Sequence, residues 1–231
     1  MISLSLARPG RRYAIGLCAA LCVLLAGCGA LRPSATPPAF FHSLDRARIK
    51  APVATTAPTT LLNSAPTLLV SPPHAASGYD SQRIIFVREA HKLEYYAHNE
   101  WIDTPPRMLA PLIVAAVETS GAFRAVVATP SAAAGDLRLD TEIIRLQHDF
   151  GSRPSGVRFT LRAYLVDSTT RRILAWREFD ETVTALSEDP SGGVVAANQA
   201  VQIVLEHLAS FCTEAAGQWM ASAAENPKRS D

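Results

Sequence analysis

The stretch that decides the fold class is residues 157–165, Val157-Arg158-Phe159-Thr160-Leu161-Arg162-Ala163-Tyr164-Leu165. Apolar residues alternate along it with polar, charged or aromatic ones, and a period of two is typical of a strand with one buried face. Residues 167–171 then predict a turn, and residues 172–183 return as a partner strand. The stretch therefore predicts a hairpin within an antiparallel or mixed sheet.

The residues before this hairpin predict another long strand with an irregularity. Leu137, Leu139, Thr141 and Ile143 alternate, but the phase slips at Ile143-Ile144. One extra residue in a β-bulge moves the following side chains to the other phase. We therefore expect a bulge or bend at this point.

Two further segments have apolar residues at helical spacing. Thr104 is a candidate N-cap with Pro105 at the first helical position, and Ser120-Gly121 predicts the end of this first helix. The second helix is predicted from about residue 193 to residue 220. Its apolar face comprises Val201, Val204, Leu205, Leu208, Phe211 and Cys212.

Shorter strands are predicted before and between these elements. Residues 40–45, 67–70 and 122–128 are candidates, and residues 83–88 with 93–97 predict a hairpin. The resulting order is β-β-β-β-α-β-β-β-β-α. It predicts an α+β fold, a two-layer sandwich in which two helices cover an antiparallel or mixed sheet.

The N-terminus has the features of a bacterial lipoprotein signal. Three arginines precede the apolar residues 13–25, which are too few to span a bilayer comfortably, and Leu25-Ala26-Gly27-Cys28 follows. In such signals the thiol of the cysteine is acylated and the chain is cut before it, so Cys28 is the predicted lipidation site. A secretory signal with an incidental Cys28, or a membrane-spanning anchor, is the alternative.

Removal of this signal changes the charge and the cysteine content. Loss of three arginines lowers Lys plus Arg from 22 to 19 against 21 Asp plus Glu, so the net charge moves from +1 to −2. A weakly acidic chain lacks the excess of positive charge that is typical of nucleic-acid-binding proteins. With Cys28 acylated, Cys212 is the remaining cysteine of the mature sequence, which excludes an internal disulfide.

The predicted organisation has four parts. Residues 1–27 form the signal peptide, the Pro-rich residues 28–39 a flexible tether, residues 40–220 the domain and residues 221–231 a disordered tail. Within the domain, residues 50–66 are rich in Ala, Thr and Pro and predict a long loop.

No catalytic or metal site is predicted. The sequence has no Gly-x-Ser-x-Gly elbow, no His-Glu-x-x-His and no phosphate-binding loop. His91, Glu94 and His98 would share one face of a helix, but on a strand His91 and Glu94 point to opposite faces of the sheet. Cys212 lies on an apolar helix face, where a free cysteine acts as a small hydrophobic residue. We therefore predict neither metal nor cofactor.

One aromatic cluster is a candidate partner surface. Tyr95, Tyr96 and Trp101 lie close to Arg107, and Asn99-Glu100 predicts a loop after the hairpin. Adjacent strand residues face opposite ways, so one tyrosine is expected to pack inward while the other forms a docking edge with Trp101. Ordinary packing of the aromatic side chains is the alternative, and it is the favoured one.

Several motifs together resemble those of the ABC-type transport auxiliary lipoproteins, which include the paraquat-inducible lipoprotein. The resemblance extends over essentially the whole domain, from about Phe40 to Trp219. The motifs are residues 68–73 (LLVSPP), 78–84 (GYDSQRI), 93–101 (LEYYAHNEW), 105–109 (PPRML), 120–123 (SGAF) and 196–200 (AANQA).

This resemblance implies a non-enzymatic part of an MCE-type ABC system that moves lipids or other hydrophobic compounds between membranes. Such a lipoprotein is expected at the outer membrane, facing the periplasm and contacting a periplasmic MCE protein. A structural or assembly-factor lipoprotein of another envelope complex is the alternative, and a periplasmic hydrolase is disfavoured because no nucleophile and base are paired. The transported compound, the direction of transport and formation of a homo-oligomer stay open.

Overall fold

The computed structural model describes residues 38–45 and 65–225, which form nine strands and two helices. The signal peptide, Cys28 and most of the tether lie outside the described residues, as do residues 46–64, which hold most of the predicted long loop. The chain divides into two units between Pro38 and Ala39, and all the elements given below belong to the second unit. The elements are β1 (Phe40–His42), β2 (Thr67–Val70), β3 (His74–Ala75), β4 (Arg83–Val87), β5 (Glu94–Trp101), α1 (Pro105–Thr119), β6 (Ala125–Ala128), β7 (Leu137–Asp149), β8 (Gly156–Asp167), β9 (Ile173–Thr184) and α2 (Pro190–Glu225).

The long strand β7 organises the sheet. One edge of β7 pairs antiparallel with β8 along its whole length, and β8 pairs in turn with β9. The other edge of β7 pairs in parallel with β2, β3 and β4 at successive positions. Strand β6 extends the sheet beyond β2, while β5 and β1 extend it beyond β4. The sheet is therefore mixed, and the predicted α+β class is confirmed.

The predicted irregularity in β7 is a β-bulge. Ile143 pairs with Leu161 and Arg145 with Thr160, so one residue of β7 has no partner in β8. Leu139 and Ile143 before the bulge, and Leu146 after it, are all buried. The bulge thus keeps apolar side chains in the core over a strand of 13 residues.

Both helices pack on one face of this sheet and share one core with it. Burial of this shared core is the main favourable term in folding. The core includes Leu109, Ile113 and Val117 of α1, Leu205 and Leu208 of α2, and Phe159, Leu161 and Leu165 of β8. The opposite face of the sheet carries ion pairs of Arg158 with Asp180 and of Arg162 with Glu178.

The first helix has the predicted ends. Thr104 has an extended backbone, and its carbonyl accepts hydrogen bonds from the amides of Arg107 and Met108, although its hydroxyl caps nothing. Gly121 has φ +67°, the left-handed conformation that favours glycine after a helix. Pro111 is accommodated within this helix.

Two sequence predictions need correction, and one strand was missed. Asn99 and Glu100 are not in a loop, because β5 continues to Trp101 and both residues pair with β1. Strand β3, of two residues, was not predicted. Helix α2 continues to Glu225, so the predicted tail cannot begin at residue 221. Within the described residues, no helix combines the length and the apolar character needed to cross a bilayer.

Candidate functional site

Of the four residues predicted to bind a partner, Tyr95 presents the largest aromatic surface. Its side chain is 51% exposed on β5. The guanidinium carbon of Arg83, on the neighbouring strand β4, lies 4.1 Å from the centre of the Tyr95 ring. This cation–π contact holds the ring in place at the surface. Tyr95 is therefore available to a partner.

Tyr96 faces inward, as expected for one of two adjacent strand residues. Its ring lies 4.7 Å from that of Phe86, and its hydroxyl is 3.0 Å from Nδ1 of His148. Burial raises the pKa of Tyr96 to about 12. The Tyr96 hydroxyl is thus a neutral hydrogen-bonding group, and it links β5 to β7.

The burial of Trp101 contradicts the prediction that it forms part of a docking edge. Its side chain is only 3% exposed and belongs to the core. Ile84, Leu146 and Ala197 share with it the lining of a void of about 10 Å³, which is near the lower limit for one water molecule. Trp101 therefore packs inward, as in the alternative interpretation of the cluster, and presents almost no surface to a partner.

Arg107 lies at the start of α1 with its side chain 76% exposed. Its Nε is 3.2 Å from a carboxylate oxygen of Asp103, one helical turn earlier. An exposed pair at this spacing contributes little to stability. The exposed Arg107 side chain is accessible at the surface, and its role in partner binding stays a prediction.

A buried serine–histidine pair was missed by the sequence analysis. Nε2 of His148 lies 2.8 Å from Oγ of Ser155, and the Ser155 amide donates a hydrogen bond to Glu188. Burial lowers the pKa of His148, although the carboxylates of Glu188 and Asp189 oppose this shift. A neutral imidazole satisfies both neighbours, with one ring nitrogen donating and the other accepting.

This pair has a structural role rather than a catalytic one. Ser155 is fully buried and His148 is 2% exposed, so no substrate can reach the hydroxyl. The other hydrogen-bond partner of the His148 ring is Tyr96, not a carboxylate that would support an imidazolium. A Cβ on Gly193 would lie 2.5 Å from Nδ1 of His148, so the absence of a side chain there lets α2 approach β7. The pair joins β7, the turn before β8 and α2.

The structure also describes the surroundings of Cys212 and of His91 and Glu94, two of the candidate metal ligands. Burial raises the pKa of the Cys212 thiol to about 12, which keeps it protonated and unreactive. His91 adopts φ 66° in the turn before β5, and Glu94 pairs with Arg88 at 3.8 Å. Among the described residues, no three His, Cys, Asp or Glu side chains converge as metal ligands would.

A groove of about 520 Å³ lies between α1 and α2. Ala116, Leu205 and Ala209 form its apolar floor, and Glu206 and Glu214 lie on its rim. No Lys or Arg is among the described residues that line it. The groove is an open surface with an acidic rim, unlike the enclosed pockets that bury most of a ligand.

Comparison with known proteins gives a family match and two similar solved structures. Residues 48–209 match the family model described as "ABC-type transport auxiliary lipoprotein component". A crystal structure of a Xanthomonas campestris protein of the DUF330 family is 29% identical, with a TM-score of 0.61 over 66% of this chain and 86% of that one. A second crystal structure, of an uncharacterised protein, is 10% identical with a TM-score of 0.58, covers 76% of this chain and 99% of that one, and is similar in fold alone. Comparison with curated proteins gives no match.

Proposed function

The chain belongs to the family of ABC-type transport auxiliary lipoprotein components, and from this premise we propose that it serves an MCE-type ABC system as a non-enzymatic component. In this proposal Cys28 anchors it in the outer membrane and the domain faces the periplasm. The transported compounds are lipids or other hydrophobic molecules. The family match carries the proposal, and the inaccessibility of the Ser155–His148 pair supports a non-enzymatic role.

The anchor is tested by substitution of Cys28. We expect Cys28→Ala to abolish incorporation of labelled palmitate and cleavage before residue 28, because the acylated thiol is absent. The wild-type chain should carry the label and sediment with the outer membrane, since each buried methylene of an acyl chain contributes about 0.8 kcal/mol and two or more chains anchor stably. Residue 29 is glycine rather than aspartate, which by enterobacterial sorting rules favours the outer membrane.

The matched control for this experiment is Cys212→Ala, which removes the buried thiol and should leave the label unchanged. Wild-type protein found wholly in the soluble periplasmic fraction would contradict the anchor. Label retained by Cys28→Ala would show that acylation occurs elsewhere.

We propose that Tyr95, held by Arg83, is part of the surface that contacts the MCE protein. We expect Tyr95→Ala to lower the recovery of the MCE protein from solubilised envelopes and to weaken binding about tenfold or more, as loss of an interfacial aromatic side chain does. Trp176→Ala is the control, because Trp176 is 63% exposed on β9, far along the sheet from β5. Arg107→Ala tests the remaining predicted residue.

The same co-purification separates the two functional interpretations. Recovery of a permease, an ATPase and an MCE protein supports the proposed function. Recovery of a different envelope complex with none of these three would support the assembly-factor alternative instead. Equal loss of binding in Tyr95→Ala and Trp176→Ala would contradict the assignment of the surface to Tyr95.

A further inference from the structure

The first described strand carries two exposed phenylalanines. Phe40 is 61% exposed and Phe41 is 58% exposed, although both belong to β1. Ile102 is 55% exposed, and its amide donates a hydrogen bond to the carbonyl of His42, the last residue of β1. We call Phe40, Phe41 and Ile102 the N-terminal apolar patch. From it we propose that this end of the domain inserts into the surface of the lipid bilayer.

The patch is held by the sheet rather than by a free segment. Strand β1 pairs in parallel with β5, with Phe40 opposite Asn99 and Phe41 opposite Glu100. Among the described residues no strand pairs with the other edge of β1. Successive strand residues point to opposite faces of a sheet, so the two rings flank an exposed edge. An edge with an aromatic ring on each side can enter a bilayer surface without reordering.

Apolar surface continues along the chain after β1. The side chain of Asn198 on α2 accepts a hydrogen bond from the Asp45 amide and donates one to the Ser43 carbonyl. Beside this point, a hollow of about 310 Å³ is lined in part by Leu186 and Val195, which are 87% and 51% exposed. The segment that leaves β1 therefore runs from one exposed apolar area to another.

The position of the N-terminal apolar patch in the chain favours lipid as its binding partner. Phe40 follows Cys28 by twelve residues, which span at most about 43 Å when fully extended. If Cys28 is acylated, as the proposed function requires, the patch is always within this distance of a bilayer. Such a link makes the second contact intramolecular and raises its effective concentration. Apolar insertion of this kind strengthens with the apolar area that is buried.

The charged side chains that the structure describes beside the patch are of both signs. Glu100 and Asp103 are close to it along β5 and the residues after it, and Arg83 lies opposite Glu100 in the register of β4 and β5. The sequence after β1 contains Arg46, Arg48 and Lys50, and basic residues attract anionic lipid, so vesicles of neutral lipid isolate the apolar contact. We therefore expect binding to neutral bilayers, with little dependence on salt.

The test uses the mature chain without its acyl group. Residues 28–231 are exported behind a cleavable secretory signal with Cys28→Ser, and the purified protein is sedimented with neutral vesicles of phosphatidylethanolamine and phosphatidylcholine. We expect measurable partitioning that is similar in 0.1 M and 1 M NaCl. The double variant Phe40→Thr/Phe41→Thr should partition at least about tenfold less, because threonine keeps the strand preference but removes both rings.

The control is Ile173→Thr/Trp176→Thr, which removes two exposed apolar side chains from β9 and should partition like the unchanged protein. Both double variants should keep the melting temperature, since the replaced side chains are exposed. The proposal is overturned if the unchanged protein stays in the supernatant, if both variants lose partitioning equally, or if 1 M NaCl abolishes it. Loss of self-association instead of vesicle binding in the Phe40/Phe41 variant would assign the patch to a second copy.

The vesicle measurement is independent of acylation, so it also separates the two proposals. Failure of the anchor would appear as missing palmitate with vesicle binding intact. Failure of the patch would appear as an acylated chain whose acyl-free form does not bind vesicles.

Discussion

Leu208→Asp is expected to unfold the domain at physiological temperature. Leu208 is fully buried on the face of α2 that packs against the sheet. Burial of an unpaired carboxylate costs several kcal/mol, either as the charge itself or as the shift in pKa that neutralises it. Since the whole stability of a domain is about 5–15 kcal/mol, this single change removes a large part of it. Thermal unfolding followed by circular dichroism measures the effect.

Glu206→Ala is the matched control for this substitution. Glu206 is two residues earlier on the same helix, exposed, and accepts a hydrogen bond from Gln202. Its loss should change the free energy of unfolding by about 0.5 kcal/mol or less. Similar decreases in melting temperature for the two variants would contradict the packing of α2.

The spacing of apolar residues was sufficient to predict the elements that a local sequence pattern defines. The spacing of Leu205 and Leu208 identified the buried face of α2, and the slip at Ile143-Ile144 located the bulge in β7. Gly121 marked the end of α1 because a left-handed residue favours glycine there. Each of these features depends on residues within a few positions of one another, which a sequence displays directly.

Pairing between distant strands could not be predicted in the same way. Asn99 and Glu100 have the composition of a loop, but β1 and β4 supply hydrogen-bonding neighbours on both sides of this part of β5. Strand β3 has only two residues and exists because β7 passes beside it. Tertiary context overrides local preference at such positions.

The hydrogen-bonded group of Tyr96, His148 and Ser155 could not be predicted from the sequence either. Tyr96 is 52 residues before His148 in the sequence, and Ser155 is seven residues after it, across the turn from β7 to β8. Only folding brings their polar atoms within 3.0 Å. Neither His148 nor Ser155 belongs to a motif that marks it in the sequence. Gly193 was equally unmarked, because its role depends on the distance between α2 and the imidazole.

The burial of Trp101 gives the second large effect that we expect, a loss of stability in Trp101→Ala. Removal of a buried tryptophan costs about 3–5 kcal/mol, because the lost apolar contacts leave a cavity that the surroundings fill only in part. The lining shared with Ile84, Leu146 and Ala197 joins β4, β7 and α2, so the cavity would open where three elements meet. Chemical denaturation of wild type and variant gives the difference in the free energy of unfolding.

Trp176→Ala separates burial from the general effect of losing a tryptophan. Trp176 is 63% exposed against 3% for Trp101, so its removal should change stability by about 0.5 kcal/mol or less. Below its melting temperature, Trp101→Ala should still recover the MCE protein, since Trp101 presents almost no surface to a partner. An intact melting temperature together with lost recovery would reverse this assignment and return Trp101 to the docking edge, because it would show that the ring contributes to binding and not to the core of the free domain.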